Sequence, residues 1–243
     1  VIIKKSQMID EFACEKIEYA VDNPIVGIPT KVLMHRGNGH NKDFLENTLP
    51  AAAYGLSVLD GIELDIQISK DGTLWLDHSN QVFNCSEEVV GCFQEMTDDA
   101  INAERACDGF IKYYTLESVF QLMSEEYKQS YISLDVKGQY CEITNTTSVM
   151  RQMANAILSL VVKYNMQGQV LVESNSLAFL EELDNQDIVV QFVVSLGDVD
   201  RGIADANATK SRGISLKYGI EEINSEVVDL IHKKGYGLIL WVI

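Results

Sequence analysis

Residues Gly61–His78 read GIELDIQISKDGTLWLDH, and two properties of this stretch decide the fold. In its first half Ile62, Leu64, Ile66 and Ile68 alternate with Glu63, Asp65 and Gln67. Successive side chains of a strand point to opposite faces, so Glu63 and Asp65 share one face and the aliphatic residues share the other. An acidic face of this kind is ordinarily solvated. In a parallel sheet covered on both sides it is not, and inward carboxylates there need a purpose. The second property is Lys70-Asp71-Gly72, too short for a crossover helix. An Asp-Gly turn predicts an antiparallel hairpin between Gly61–Ile68 and Thr73–His78.

Working outward, similar Val/Ile/Leu-rich runs recur at Lys31–Arg36, Tyr131–Lys137, Gln169–Glu173, Ile188–Val194, Gly213–Lys217 and Gly237–Ile243. With the first two they make eight candidate strands. Helical spacing of apolar residues predicts helices over Asn47–Leu59, with Thr48 as its cap, Thr115–Glu126, Thr147–Asn165, Ser176–Leu183, Asp198–Asn207 and Asn224–Lys234. Eight strands mostly separated by helices in 243 residues is the arithmetic of a (β/α)8 barrel, modified by the tight Asp-Gly exchange. A doubly wound open sheet satisfies the same alternation. Residues 79–114 carry cysteines and little periodicity, and read as an insertion after the third strand, lying over the active-site end. Residues 1–30 read as an N-terminal helical segment, Met8–Asp22 its helix, able to plug the opposite mouth. The eighth run closes the sequence, so the expectation is either that a final helix lies outside it or that the N-terminal helix substitutes for one. The whole of 1–243 is read as one catalytic domain.

Composition narrows the function classes. With 36 acidic against 19 basic residues the net charge is −17, and no Lys/Arg run breaks it, which disfavours nucleic acid as a partner. No apolar stretch is long enough for a transmembrane segment. The five cysteines follow no metal-binding spacing; Cys85 and Cys92 share one loop-like segment, where a disulfide and two buried thiols are equally good readings. The sequence begins with Val, so an extracytoplasmic location after leader removal is the expectation.

Charged groups gather late in the apolar runs: His35 and Arg36, Glu63 and Asp65, His78, Asp135 and Lys137, Glu173, Lys217, with Trp241 in the last. In a barrel these ends form the rim where sites are built. A lone strand-end histidine is most often a polar cap, but the set together outweighs coincidence. His40 and His232 are assigned no chemistry. Phosphate-cradling glycine motifs and a serine-nucleophile elbow are absent from the sequence.

His35-Arg36-Gly37, Glu46-Asn47-Thr48, Glu63-Leu64-Asp65, Ser69-Lys70-Asp71-Gly72 and His78, in this order and spacing, resemble the glycerophosphodiester phosphodiesterase family. Weaker similarity runs through Met96-Thr97, Thr115-Leu116-Glu117 and Leu134–Lys137 to Trp241. The resemblance implies a modified TIM barrel of the phosphoinositide-lipase-like type that hydrolyses glycerophosphodiesters to glycerol 3-phosphate and an alcohol. It implies one divalent cation, Mg2+ or Ca2+, held by Glu63, Asp65 and Asp135, with His35 and His78 as the acid–base pair and Arg36 and Lys137 on the phosphate. Glu46, Asn47, Glu173, Lys217 and Trp241 are expected to support the site. Two residues depart from the family pattern: Ser79 stands where an Asp usually follows the second histidine, and Asp135 where Glu is common. The alternatives are a phospholipid phosphodiesterase of the sphingomyelinase D or phosphoinositide lipase type, and a non-catalytic barrel that binds a phosphorylated ligand.

Overall fold

The computed structural model describes residues 2–5, 30–107, 109–137, 141, 146–183, 188–195, 198–217 and 223–241. Eight parallel strands make a ring: β1 (Ile2–Lys5), β2 (Lys31–Met34), β3 (Gly61–Ile68), β9 (Tyr131–Val136), β10 (Val170–Ser174), β11 (Val190–Ser195), β12 (Gly213–Lys217) and β13 (Gly237–Trp241). Pairing runs β2-β1-β13-β12-β11-β10-β9-β3, and β3 returns to β2 to close it. The barrel reading therefore holds over the open sheet.

Which eight strands form the ring differs from expectation in one place. Leu74–Leu76 (β4) pairs antiparallel with β3, Ile66 opposite Leu76 and Ile68 opposite Leu74, and stays outside the ring. The turn of Lys70–Gly72, with Gly72 at φ 91°, reverses the chain as the Asp-Gly pair predicts. The vacant place is taken by β1, between β13 and β2. Part of the segment read as helical is thus a strand, and the expected helix Met8–Asp22 lies outside the described residues.

The alternation of β3 is repeated around the ring and sorts the core into two. Ile62, Leu64, Ile132, Leu134, Val172, Val193, Ile214 and Leu238 face outward and pack with the helices. Those helices are α1 (Leu49–Val58), α3 (Leu116–Glu126), α4 (Thr146–Lys163), α5 (Leu177–Leu183), α6 (Val199–Ala208) and α7 (Ser225–Lys233). Side-chain oxygens cap α1 (Thr48), α3 (Thr115), α6 (Asp198) and α7 (Asn224), each cap contributing about 1 kcal/mol. Inside the ring, Leu33, Leu171, Phe192 and Ile239 form a separate apolar floor. Gly213 makes room for it, since a Cβ there would collide with the Phe192 ring. Two residues further along the inward face of β10, polarity replaces carbon: Glu173 follows Leu171.

Residues 79–114 form a small antiparallel insertion. Its hairpins are β5 (Gln81–Phe83) with β6 (Val89–Cys92), and β7 (Ala106–Cys107) with β8 (Phe110–Ile111), with α2 (Asp98–Ala103) between them. It has its own core of Val82, Phe93, Ile101 and Tyr113 around Trp75 of β4. Trp75 Nε1 donates to Asp98 Oδ1 at 3.0 Å, anchoring the insertion to the strand before it. Cys85 and Cys92 do not pair with each other. Cys85 joins Cys107, and Cys92 joins Cys141, 49 residues away. The reason is geometric: Cys85 lies in the turn between the two strands and Cys92 at the far end of β6, so each meets a different neighbour.

Candidate active site

Three short segments build the mouth of the barrel. After β2 the chain makes a one-turn 3-10 helix, His35–Gly37, with Arg36 at φ 51° and Gly37 at φ 75°. A Cβ on Gly37 would lie 2.9 Å from both Ala51 C and Ala52 N, so only glycine lets α1 pack against this turn. The Arg36 amide donates to Glu63 Oε2 at 3.0 Å, which locks the turn to β3. Asn47 does the same from the other side. Its Nδ2 donates to Asp65 Oδ2, and its Oδ1 accepts from the Asp65 amide, both at 3.0 Å. Asn47 therefore orients a carboxylate.

Strand register sets the acids. Glu63 lies level with Ser133, and Asp65 level with Asp135, which is itself level with Glu173. Glu63, Asp65 and Asp135 each bring an oxygen within 4.8 Å of the others, and the first two are buried. Cations answer them from the same rim. Lys137 Nζ lies 2.9 Å from Asp65 Oδ1 and 2.9 Å from Asp135 Oδ2. Arg36 Nη1 lies 2.6 Å from Glu46 Oε1, and Nε 3.2 Å from Asp65 Oδ2. That second contact is an ion pair without hydrogen-bond alignment, so buried Nε keeps a donor with no acceptor among the described residues.

These charges shift one another. Burial favours the neutral Asp65 carboxyl, but Lys137 and Arg36 override it and hold the group down at about 2. Burial likewise opposes the Lys137 ammonium, and Asp135 and Asp65 nonetheless raise it above the ordinary lysine range. Burial lowers His78, with Arg36 and Lys137 adding to the effect against the pull of Asp65. Asp77, next in sequence, is pushed up by burial to about 7, against the amide of Ser79 that donates to it at 2.7 Å.

One cavity of about 230 Å³ gathers most of the residues singled out in the sequence: His35, Arg36, Asp65, His78, Asp135, Lys137, Glu173 and Trp241 line it. Glu63 stands beside it, its Oε2 3.8 Å from His35 Nε2. Glu46 and Asn47 act through Arg36 and Asp65. Lys217 is placed further out, its Nζ 5.5 Å from the centroid of the Trp241 ring. Three converging carboxylates are hard oxygen donors, the set that Mg2+ and Ca2+ prefer. Their concentrated negative charge, already drawing in two protein cations, fits such an ion.

Sequence reasoning missed His40, Ser133, Ser215 and one disulfide. His40 lines the cavity, its ring 5.9 Å from that of His35; a loop histidine offers no periodic signal. Ser133 and Ser215 both donate to Glu173, the latter at 2.6 Å. They stand two residues before Asp135 and Lys217, and that spacing was an available signal of a shared inward face. The Cys92–Cys141 disulfide ties the insertion to the chain four residues beyond Lys137.

The family model for the glycerophosphoryl diester phosphodiesterase family matches residues 35–243. The chain is 27% identical to YqiK of Bacillus subtilis over 149 residues, and 26% identical to a glycerophosphodiester phosphodiesterase of Bacillus altitudinis over 164. Those alignments cover 60% and 63% of this chain, and span only 58% and 62% of the length of the two relatives. Among solved structures, a glycerophosphodiester phosphodiesterase from Thermotoga maritima superposes with a TM-score of 0.65 at 22% identity, covering 87% of this chain and 84% of that one. At that identity the likeness shows a shared fold.

Proposed function

Because the chain belongs to the glycerophosphoryl diester phosphodiesterase family, we propose that its barrel mouth hydrolyses glycerophosphodiesters to glycerol 3-phosphate and an alcohol. The observation that carries this reading is one cavity lined by two strand-end imidazoles, His35 and His78, together with Arg36 and Lys137. A phosphodiester is an anion with a poor alkoxide leaving group, so hydrolysis needs positive charge at phosphorus, a proton acceptor and a proton donor. Arg36 and Lys137 hold the phosphoryl oxygens by charge-assisted hydrogen bonds. His35 and His78 share the proton transfers. The lowered pKa of His78 keeps it a neutral imidazole, competent to accept a proton at neutral pH. Glu63, Asp65 and Asp135 would hold one divalent cation, Mg2+ or Ca2+, which would supply further positive charge to the reaction. Glu46 and Asn47 position Arg36 and Asp65.

The test is release of glycerol 3-phosphate from a panel of glycerophosphodiesters, with and without chelator. Release that stops on chelation and returns with Mg2+ or Ca2+ supports the reading; no release from any diester with metal supplied overturns it. A phospholipid-diester substrate gains one observation of its own, since Val89, Val90, Phe110 and Ile111 of the insertion hairpins are exposed. Including lysophospholipids and sphingomyelin in the panel separates the two readings. The two disulfides support an extracytoplasmic location, because reducing compartments disfavour them.

A further inference from the structure

Glu173 is an acid at the mouth that lies outside the three-carboxylate cluster. It is 1% exposed and borders the cavity, directly above the apolar floor residue Leu171 on the same face of β10. Burying a carboxyl group is costly unless hydrogen bonds compensate. The compensation comes from two strands. Ser133 Oγ of β9 donates to Oε1, and Ser215 Oγ of β12 donates to Oε2. Each serine holds one carboxylate oxygen, which fixes the orientation of the group.

The cavity then has two chemically different walls. One carries the imidazoles, Arg36 and Lys137. The other begins at Glu173, level with Asp135 on one side, and continues through Val194 and Trp241 on the strands beyond, an acceptor with carbon on its far side. Such a wall suits a short carbon chain bearing hydroxyl donors, and offers nothing to a second phosphate or to an ester group, which bring only acceptors. Resting on the reading of this cavity as a phosphodiester site, we propose that Glu173 determines specificity for the glycerol half of the substrate, its carboxylate accepting hydrogen bonds from the glycerol hydroxyls. Ser133 and Ser215 are its positioning residues. The assignment also orients the diester, with glycerol against Glu173 and the departing alcohol toward the open rim.

Calorimetric titration of the full chain in the presence of Mg2+ tests this with two ligands, sn-glycerol 3-phosphate and n-propyl phosphate, which lacks both hydroxyls. The wild type is expected to prefer glycerol 3-phosphate by ~10- to 100-fold, the range for hydrogen bonds to a charged group. In Glu173→Gln that preference falls at least several-fold. A wild type without the preference, or a Glu173→Gln protein that keeps it whole, overturns the assignment. Should Glu173→Gln lose its circular dichroism melt, Ser215→Ala carries the test: it narrows the preference by a smaller factor, and an unchanged preference overturns the assignment. Binding is independent of turnover, so the two readings fail separately. A wild type that shows the preference but hydrolyses no diester sinks the hydrolytic reading alone. One that hydrolyses diesters without the preference sinks the role of Glu173 alone.

Discussion

The barrel mouth and the insertion beside it are held together by opposite means. At the mouth, Asp65 alone is engaged by Asn47, Lys137 and Arg36, all on strand ends or on turns pinned to them. Order there comes from charge on a rigid frame. The insertion has strands of two to four residues, a six-residue helix, a one-turn 3-10 helix and a five-residue core; two disulfides and the Trp75–Asp98 hydrogen bond do the rest. So few apolar residues bury too little surface to offset chain entropy unaided. Covalent staples shape the one region, and electrostatics the other, so the two should respond to different perturbations.

The largest expected contrast is catalytic. His35→Ala and His78→Ala should each lower glycerol 3-phosphate release by ~100- to 10,000-fold while the melting temperature barely moves. Near-wild-type release from both variants would break the contrast. Next comes the staple. Cys85→Ser with Cys107→Ser should destabilise the insertion by about 3 kcal/mol, the chain-entropy value for a loop of this size. Limited proteolysis within residues 79–114 should expose it, with turnover much less affected than in the histidine variants. Cys92→Ser with Cys141→Ser should instead raise KM, because it frees Cys141, four residues beyond Lys137, from the insertion; an unchanged KM would detach the insertion from the site.

Asp77 sits where β4 hands the chain to the insertion, and sharpens the comparison through pH. Its folded pKa is raised by burial to about 7, above the ordinary aspartate value near 4. Between those values the folded protein binds the proton more tightly than the unfolded chain does. The stabilising contribution is thus complete below about pH 4 and is lost as pH rises through about 7. Asp77→Asn, which stays neutral, should melt higher than the wild type at pH 8 by roughly 10 °C and match it near pH 4. A smaller gap at pH 8 than at pH 4 contradicts the assignment. The smallest effect is local: Thr97 caps α2 by accepting from the Ala100 amide, so Thr97→Ala should cost about 1 kcal/mol, visible as faster amide exchange across α2 with turnover unchanged.

Much of the mouth was legible because period-two alternation is a local property. Glu63 and Asp65 had to share a face whatever the fold, and so did Asp135 with Ser133. Covering the other face with helices turned that face inward. His40 was not legible, since a loop residue at φ 69° reaches the cavity only through the path of its turn. The disulfide partners were equally hidden, because sequence proximity of Cys85 and Cys92 says nothing about which side of a hairpin each thiol leaves.

By itself the sequence determined seven of the eight ring strands, their two faces, the Asp-Gly reversal and the inventory of acids, bases and cations, all of which depend on neighbours within a few residues. Tertiary structure decided that β1 rather than β4 completes the ring, that Cys92 reaches Cys141, and that Glu173 is cradled by serines from two other strands. Each of these is a contact between residues tens of positions apart, set by strand register and ring closure, and no local pattern encodes it.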